Sequence, residues 1–156
     1  MTYQQGLDVA LCYGWIDALK RPESEAAWLQ RFVPRRKASI WSKINREKAL
    51  GLIERGEMRP AGLAEIERAK GDGRWDAAYD PPARATVPPD LEAELDQHPK
   101  AKEFFAGLDR INRYAIIWRV QTAKKPETRR ERIDRLVAML ERGERLHQRP
   151  PSTSGA

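Results

Sequence analysis

Prolines and glycines divide this chain into segments whose apolar residues recur at helical spacing. Pro60, Pro89, Pro99 and Pro126 stand where such segments begin. Proline is tolerated at the first helical position because an N–H there would have no intrahelical acceptor. Glycine follows several of the segments and ends a helix by adopting a left-handed backbone. The pattern predicts two short helices that begin at Pro60 and Pro99, and helices over residues 3–13, 43–55, 89–96, 109–123 and 126–142.

The segment from Trp15 to Val33 departs from this helical pattern. Aromatic and β-branched residues flank the polar, proline-containing turn KRPESE, an arrangement typical of two short paired strands. We therefore predict an α+β fold: a helix-rich single domain with a short antiparallel β-hairpin near the N-terminus and a helical C-terminal half. A chain of 156 residues is expected to bury one core, which we assign to residues 1–148. The ending PPSTSGA predicts a disordered tail over residues 149–156.

Apolar spacing also predicts which residues face the core. In the helix over residues 43–55, Ser42 is the expected N-cap, and the residues expected to face inward are Ile44, Ala49, Leu52 and Ile53. Trp75 and Tyr79 are expected to anchor the irregular segment 72–89 onto the core. The single cysteine, Cys12, has no neighbouring histidine or basic residue to lower its pKa, so we interpret it as a small core residue.

The positive charge is concentrated between Arg31 and Lys48. Seven basic residues and one acidic residue lie there, a local excess equal to the formal net charge of +6 for the whole chain. Arginine forks bind phosphate or carboxylate, and the amino end of a helix favours anions through its free N–H groups. The sequence therefore predicts an anion-binding surface formed by Arg35, Arg36, Ser39, Trp41, Ser42 and Lys43.

A structural interpretation of the same residues is also open. Trp41 would then pack in the core, Ser42 would cap a helix, and the arginines would pair with Asp17 or with glutamates elsewhere. Asp17 itself could be a buried carboxylate with a shifted pKa, in a pocket with Trp15 and Tyr79, or an ordinary turn cap or partner of Arg35.

Few reactive groups stand in recognisable arrangements. The two histidines, His98 and His147, have no partner at metal-ligand spacing, and there is no phosphate-binding glycine loop or nucleophile elbow. We predict no catalytic residue, no metal and no cofactor, and we lean against an enzyme. The sequence shows no export signal and no apolar run of about 20 residues, so we expect a cytoplasmic protein without an integral membrane segment.

The last helix predicts a polar outer face. Its four arginines (Arg129, Arg130, Arg132 and Arg135) alternate with Glu127, Glu131 and Asp134. Opposite charges three or four residues apart on a helix usually form ion pairs in solvent. We therefore predict a solvated, salt-bridged surface there rather than a binding face.

Several motifs resemble a bacterial family. CYGWID, QRFVPRRKASIWSKIN, GEMRPAGLAEIERAKGDGRWDAAY and NRYAIIWRVQTAKKPETRRERIDRLVAML resemble the YdeI/OmpD-associated proteins, often labelled bacteriocin-protection proteins, over about Tyr3 to His147. The resemblance implies a small α+β protein without an established enzymatic activity or cofactor. Relatives usually carry a further strand before the helix that here begins near Tyr3. Its absence would leave a sheet edge open to a second chain, so a homo-oligomer is one expectation.

Three functions remain open from the sequence. The first is a non-enzymatic binding or stress-protection protein that acts on an unknown protein partner or anionic ligand. The second is anion binding, to nucleic acid or phosphate, through residues 31–48. The third is an enzyme with a distributed site near Asp17, Arg35 and Arg36.

Overall fold

The computed structural model describes residues 1–148, and the predicted tail over residues 149–156 lies outside them. The described residues form two compact units, an amino-terminal unit of residues 1–81 and a carboxy-terminal unit that begins at Pro82. Together the described parts contain seven α-helices and one two-stranded antiparallel sheet, which confirms the predicted α+β class. The buried residues form two hydrophobic clusters, one in each unit, although a single core was expected. The single-domain boundaries stay a prediction.

The amino-terminal unit begins with a helix, a hairpin and two further helices. Thr2 caps the first helix through a reciprocal capping box with Gln5, which satisfies backbone donors at its amino end. The predicted cap Ser42 accepts a hydrogen bond from the Asn45 N–H and begins the second. The elements are α1 (Tyr3–Cys12), β1 (Trp15–Pro22), β2 (Trp28–Pro34), α2 (Lys43–Glu54) and α3 (Pro60–Gly71).

The hairpin forms where the sequence predicts it. Strands β1 and β2 pair antiparallel from Trp15 opposite Pro34 to Pro22 opposite Trp28. The register shifts between Asp17 and Lys20, an irregularity of the β-bulge kind that increases the local twist of the strands.

The core of the amino-terminal unit is centred on two tryptophans. Trp41 is 2% exposed, and its ring lies 4.9 Å from that of Trp75 in an edge-to-face arrangement. The predicted role of Trp75 as a core anchor is thus confirmed. Cys12 is buried in the same cluster, as its interpretation as a core residue predicts, and burial raises the pKa of its thiol.

Helix α2 buries a narrower face than its apolar spacing predicts. Ala49 and Leu52 are buried, as expected. Ile44 and Ile53 are 39% and 37% exposed, so the prediction that they face inward is wrong. The reason is geometric: among the helices of residues 1–148, α1 alone packs extensively on α2, and one such contact covers a single stripe of a helix rather than half of it.

The carboxy-terminal unit is helical, as predicted. Asp109 caps the third of its helices by accepting a hydrogen bond from the Asn112 N–H. Proline stands at the start of each of the other three. The helices are α4 (Pro89–Gln97), α5 (Pro99–Ala106), α6 (Arg110–Gln121) and α7 (Pro126–Glu141). Their apolar faces meet in one cluster that includes Leu91, Phe105, Ile116, Ile133 and Leu140.

Candidate functional site

Arg35, the first residue of the predicted anion-binding set, is inside the amino-terminal unit. It is 6% exposed, and its guanidinium carbon lies 3.6 Å above the centre of the Trp41 ring, a cation–π contact. Its Nη1 donates a hydrogen bond of 3.2 Å to the carbonyl oxygen of Ile40. The remaining donors, Nε and Nη2, have no hydrogen-bond partner within residues 1–148.

Three other members of the set are engaged in the fold. Trp41 is packed in the core, and the Ser42 hydroxyl accepts the capping hydrogen bond of α2 at 3.1 Å. The ammonium group of Lys43 lies 2.6 Å from the Asp80 carboxylate. For these residues the structure has the packing, capping and pairing that the structural interpretation describes. Stacking of a base on Trp41 would require the core to open.

Arg36 and Ser39 form a tight turn at the surface. The Arg36 N–H donates to the Ser39 hydroxyl oxygen at 2.9 Å, while the Ser39 carbonyl accepts from Nη1 of the buried Arg74 at 2.7 Å. The Arg36 side chain is exposed. It is therefore the one cation of the predicted set that reaches solvent without an ion pair inside the described residues.

The three residues of the predicted pocket lie in different surroundings. Asp17 accepts a hydrogen bond of 3.0 Å from the Tyr3 hydroxyl and forms no ion pair with Arg35, contrary to one of the expectations. Burial, together with this hydrogen bond, raises the pKa of Tyr3 to about 12. Trp15 is 41% exposed and lines an apolar groove between α1 and the hairpin. Tyr79 is half-buried, and burial raises the pKa of its phenol.

A second and different site lies in the carboxy-terminal unit. A groove of about 550 Å³ runs between α6, α7 and the segment that follows α7. We call it the arginine groove, because four of the nine residues that line it are arginines and only one is acidic. The lining residues are Trp118, Arg119, Arg132, Arg135, Leu136, Met139, Arg142, Glu144 and Leu146.

Arginines of α7 hold the two helices of this groove together. Arg129 Nη1 donates to the Val120 carbonyl at 2.9 Å, and Arg132 Nη1 donates to the Arg119 carbonyl at 2.7 Å. The last carbonyl groups of a helix have no intrahelical donor, so the two arginines satisfy the carboxy end of α6. The second contact brings the Arg132 side chain to the backbone of Arg119, and both residues line the groove.

Asn112 fixes the other wall of the groove. This residue is 2% exposed, and its side-chain amide forms a reciprocal pair of hydrogen bonds with the backbone of His147, at 2.8 and 3.1 Å. Its N–H and amide group also donate to the Asp109 carboxylate. The chain after α7 is thereby tied to the beginning of α6, which sets the position of Glu144 and Leu146 along the groove.

The cations of the groove differ in how far they are neutralised. Arg142 is paired with Glu144 through two contacts of 3.0 Å. Arg135 is exposed and has no hydrogen bond or ion pair within the part of the chain that the structure describes. Since Arg119 and Arg132 contact only carbonyl or hydroxyl oxygens, three arginines of the groove keep their positive charge unpaired.

The prediction of a solvated face on α7 is correct for one side of the helix. Arg129 pairs with Asp90, and Arg130 pairs with Glu94 and Asp134. Arg132 and Arg135 instead face the groove, which the sequence prediction missed. Sequence spacing on one helix gave no signal for it, since Arg119 comes from α6 and the rest of the wall from the segment that follows α7.

A comparison with protein-family models assigns this part of the chain. Residues 84–143 match the family described as "Bacteriocin-protection, YdeI or OmpD-Associated". Over this segment the chain is similar to that family. The YdeI/OmpD-associated segment contains α4, α5, α6 and α7, and thus most of the arginine groove. The family predicted from the sequence is confirmed for this segment.

The same comparison limits how far the resemblance extends. The YdeI/OmpD-associated match does not reach the motifs CYGWID and QRFVPRRK, although the resemblance was predicted from about Tyr3 to His147. Residues 1–65 match instead a domain of unknown function, DUF8412. No curated protein and no solved structure gives a significant match to the chain. Among the described helices, none has the length and apolar character needed to cross a bilayer.

Proposed function

We propose that this protein is a non-enzymatic binding protein whose YdeI/OmpD-associated segment takes a phosphate-bearing ligand in the arginine groove. The observation that carries the proposal is the charge of the groove, where three unpaired arginines and the paired Arg142 face a single acidic residue, Glu144. Arginine donates from a rigid fork that matches the oxygen atoms of phosphate. A groove of about 550 Å³ is the size of an ordinary small-molecule site.

The apolar part of the lining indicates what else the ligand carries. Trp118, Leu136, Met139 and Leu146 lie among the arginines and offer apolar and aromatic surface. Stacking of a base on an aromatic side chain contributes about 1–3 kcal/mol. A ligand with phosphate oxygens and a planar body, such as a nucleotide or a nucleic-acid strand, would use both parts of the groove.

The family description mentions bacteriocin protection, and the charge of this chain bears on how that could occur here. Many bacteriocins are cationic, and a groove with an excess of arginine repels a cation. We propose that any protective role is indirect, through an anionic partner, and that the protein acts in the cytoplasm. A strain lacking the gene should then lose resistance, and a groove variant with Arg135→Ala should restore less of it than the wild type.

Direct binding is the first test. Fluorescence anisotropy of a labelled mixed-sequence single-stranded oligonucleotide would compare the wild type with Arg119→Ala/Arg135→Ala across a salt series. Hydrogen bonds to charged groups contribute about 1.5–3 kcal/mol each, so the double variant should bind at least tenfold more weakly. The loss of two phosphate contacts should also make the salt dependence shallower by about 1.4 in log–log slope.

Two controls make this test specific. Arg130→Ala removes the same charge from α7 outside the groove lining, where Arg130 is paired with Glu94 and Asp134, and it should bind like the wild type. Unlabelled ATP and pyrophosphate as competitors separate a free nucleotide or phosphate from a strand. If Arg130→Ala weakens binding as much as a groove substitution does, the attraction is a general charge effect and the groove is not the site.

The basic segment 31–48 remains a second candidate for anion binding, because Arg36 is exposed and Arg35 has unpartnered donors. Arg36→Ala in the same assay tests its surface contribution. The enzyme hypothesis near Asp17, Arg35 and Arg36 stays a prediction without a supporting geometry: the Asp17 carboxylate is hydrogen-bonded to Tyr3 and not to either arginine.

A further inference from the structure

Two arginines of the amino-terminal unit are buried to the same extent but have different partners. Arg35 and Arg74 are each 6% exposed. The Arg74 guanidinium lies against the Asp72 carboxylate at 2.8 Å and also donates to the Ser39 carbonyl. Its Nη2, which lacks good hydrogen-bond geometry, is still only 2.8 Å from an Asp72 oxygen. The charge of Arg74 is therefore compensated, and Arg74 serves as an internal reference for Arg35.

Arg35 has no such compensation. Among residues 1–148 no carboxylate forms an ion pair with it, and two of its three guanidinium nitrogens, Nε and Nη2, are buried without an acceptor. Burial of a guanidinium costs several kcal/mol unless an anion and hydrogen bonds compensate it. Native proteins rarely leave such groups unsatisfied, and an unsatisfied group commonly indicates a bound water or ion.

The neighbouring acids do not fill this role. Glu65 raises the pKa of Arg35, but its carboxylate is hydrogen-bonded to Arg68. Asp17 also acts from a distance, and it accepts its hydrogen bond from Tyr3. Burial lowers the pKa of Arg35 to about 10, so the group still carries its charge at neutral pH.

Trp41 adds a further buried hydrogen-bond donor that has no acceptor among the described residues. Its ring stacks under the Arg35 guanidinium, and its Nε1 is likewise buried without a hydrogen-bond partner in the described residues. Two stacked groups thus present three buried donors that need acceptors. Because the Trp41 ring covers one face of the Arg35 guanidinium, a ligand would bind at the edge that carries Nε and Nη2.

We infer that the Nε and Nη2 edge of Arg35 binds a small oxyanion, a phosphate or a carboxylate group, inside the amino-terminal unit. The chemistry is bidentate: two parallel N–H donors meet two anionic oxygens, the geometry in which arginine recognises both groups. This site is separate from the arginine groove and does not depend on it.

The test uses a protein in which the groove is disabled by Arg119→Ala/Arg135→Ala. In that background we compare Arg35 with Arg35→Met, which removes the charge at similar length, and Arg35→Lys, which keeps the charge but lacks the fork. Thermal unfolding is measured at constant ionic strength with sodium phosphate, sodium acetate or chloride alone. Nitrogen-15 NMR follows the Nε–H signal of Arg35, identified as the signal missing from Arg35→Lys.

The expected result is a rise in Tm of about 5 °C at saturating phosphate or acetate, together with a shift of the Arg35 Nε–H signal. Arg35→Met should melt at or above the parent in chloride and show no rise with either anion, because it no longer buries an uncompensated charge. A response to phosphate alone or to acetate alone identifies which oxyanion the site takes.

The inference is overturned if neither anion moves the Nε–H signal or the Tm of the Arg35 protein, since the edge then holds only water. It is also overturned if Arg35→Met keeps the full rise. Should Arg35→Met fail to fold, the titration of the Nε–H signal in the parent protein decides alone.

Discussion

The two units of this protein place arginine in different surroundings. In the amino-terminal unit Arg35 and Arg74 are buried beneath the surface, and each makes hydrogen bonds to backbone carbonyls of the same unit. In the carboxy-terminal unit the arginines of the groove are partly or fully exposed, and three of them are unpaired. The same side chain is therefore packed inside one unit and lies at the surface of the other. Burial separates the two groups, because Arg35 lacks a paired carboxylate among the described residues just as Arg119, Arg132 and Arg135 do.

The units also differ in how completely they cover their apolar residues. Thirteen large hydrophobic residues are exposed within the described chain, and all but Ile111 lie in the amino-terminal unit. Four helices can bury their apolar stripes against one another, whereas a two-stranded sheet can cover only one of its faces. We therefore expect the stability of the amino-terminal unit to depend on a few close contacts. Substitutions that add volume at those contacts should destabilise the protein most.

Gly62→Ala should produce the largest loss of stability. A Cβ at Gly62 would overlap the Cys12 carbonyl oxygen, because α3 packs directly on the end of α1 at this point. Backbone cannot move aside as a flexible side chain does, so we expect a loss of about 3 kcal/mol in the free energy of unfolding, measured by urea denaturation.

Gly71→Ala is the matched control for that substitution. Gly71 ends the same helix, and a Cβ there would meet nothing within 4 Å. It should be neutral or slightly stabilising, since alanine favours the helical conformation. If both substitutions change the free energy of unfolding equally, the contact between α1 and α3 is not the sensitive one. The contrast between the two units would then be weaker.

Asn112→Ala should produce the next largest loss, in the carboxy-terminal unit. It removes the buried amide of Asn112 and its reciprocal, partly buried hydrogen bonds with the His147 backbone, which costs about 2 kcal/mol. The loss of these hydrogen bonds should also loosen the wall of the arginine groove, and oligonucleotide binding should fall although no arginine has changed.

Asn45→Ala is the control, because Asn45 is the only other asparagine of the chain and lines neither the groove nor the hydrophobic core. Wild-type binding by a destabilised Asn112→Ala would show that the groove does not need this wall.

Local patterns predicted most of the fold but not the site. The helices and the hairpin follow from proline, glycine and caps such as Ser42, which act within a few residues along the chain. The arginine groove depends on contacts such as Asn112 with His147, 35 residues apart, and no local pattern encodes them. Arg35 was assigned to a surface because runs of basic residues usually face solvent; its burial is decided by Trp41, on which it stacks.

Loss of the ion pair between Asp90 and Arg129 should change the free energy of unfolding least. The direction of its pH dependence follows from the pKa of Asp90. The hydrogen bond from Arg129, followed by the charge of that arginine, lowers the pKa of Asp90 below its ordinary value of 3.8. The pair therefore contributes stability that is present above the unfolded pKa, near 3.9, and is lost as the pH falls through the lower, folded value.

Because both side chains are partly exposed, the contribution is expected to be only about 0.5 kcal/mol. Unfolding of the wild type and Asp90→Asn should differ by this amount at pH 7 and converge as the pH falls below the lowered, folded pKa of Asp90. Added salt should reduce the difference at pH 7, since partly exposed charges are screened. A difference that persists undiminished at low pH would mean that the Asp90 side chain acts through the beginning of α4, where it also accepts a hydrogen bond from the Leu91 N–H, and not through its charge.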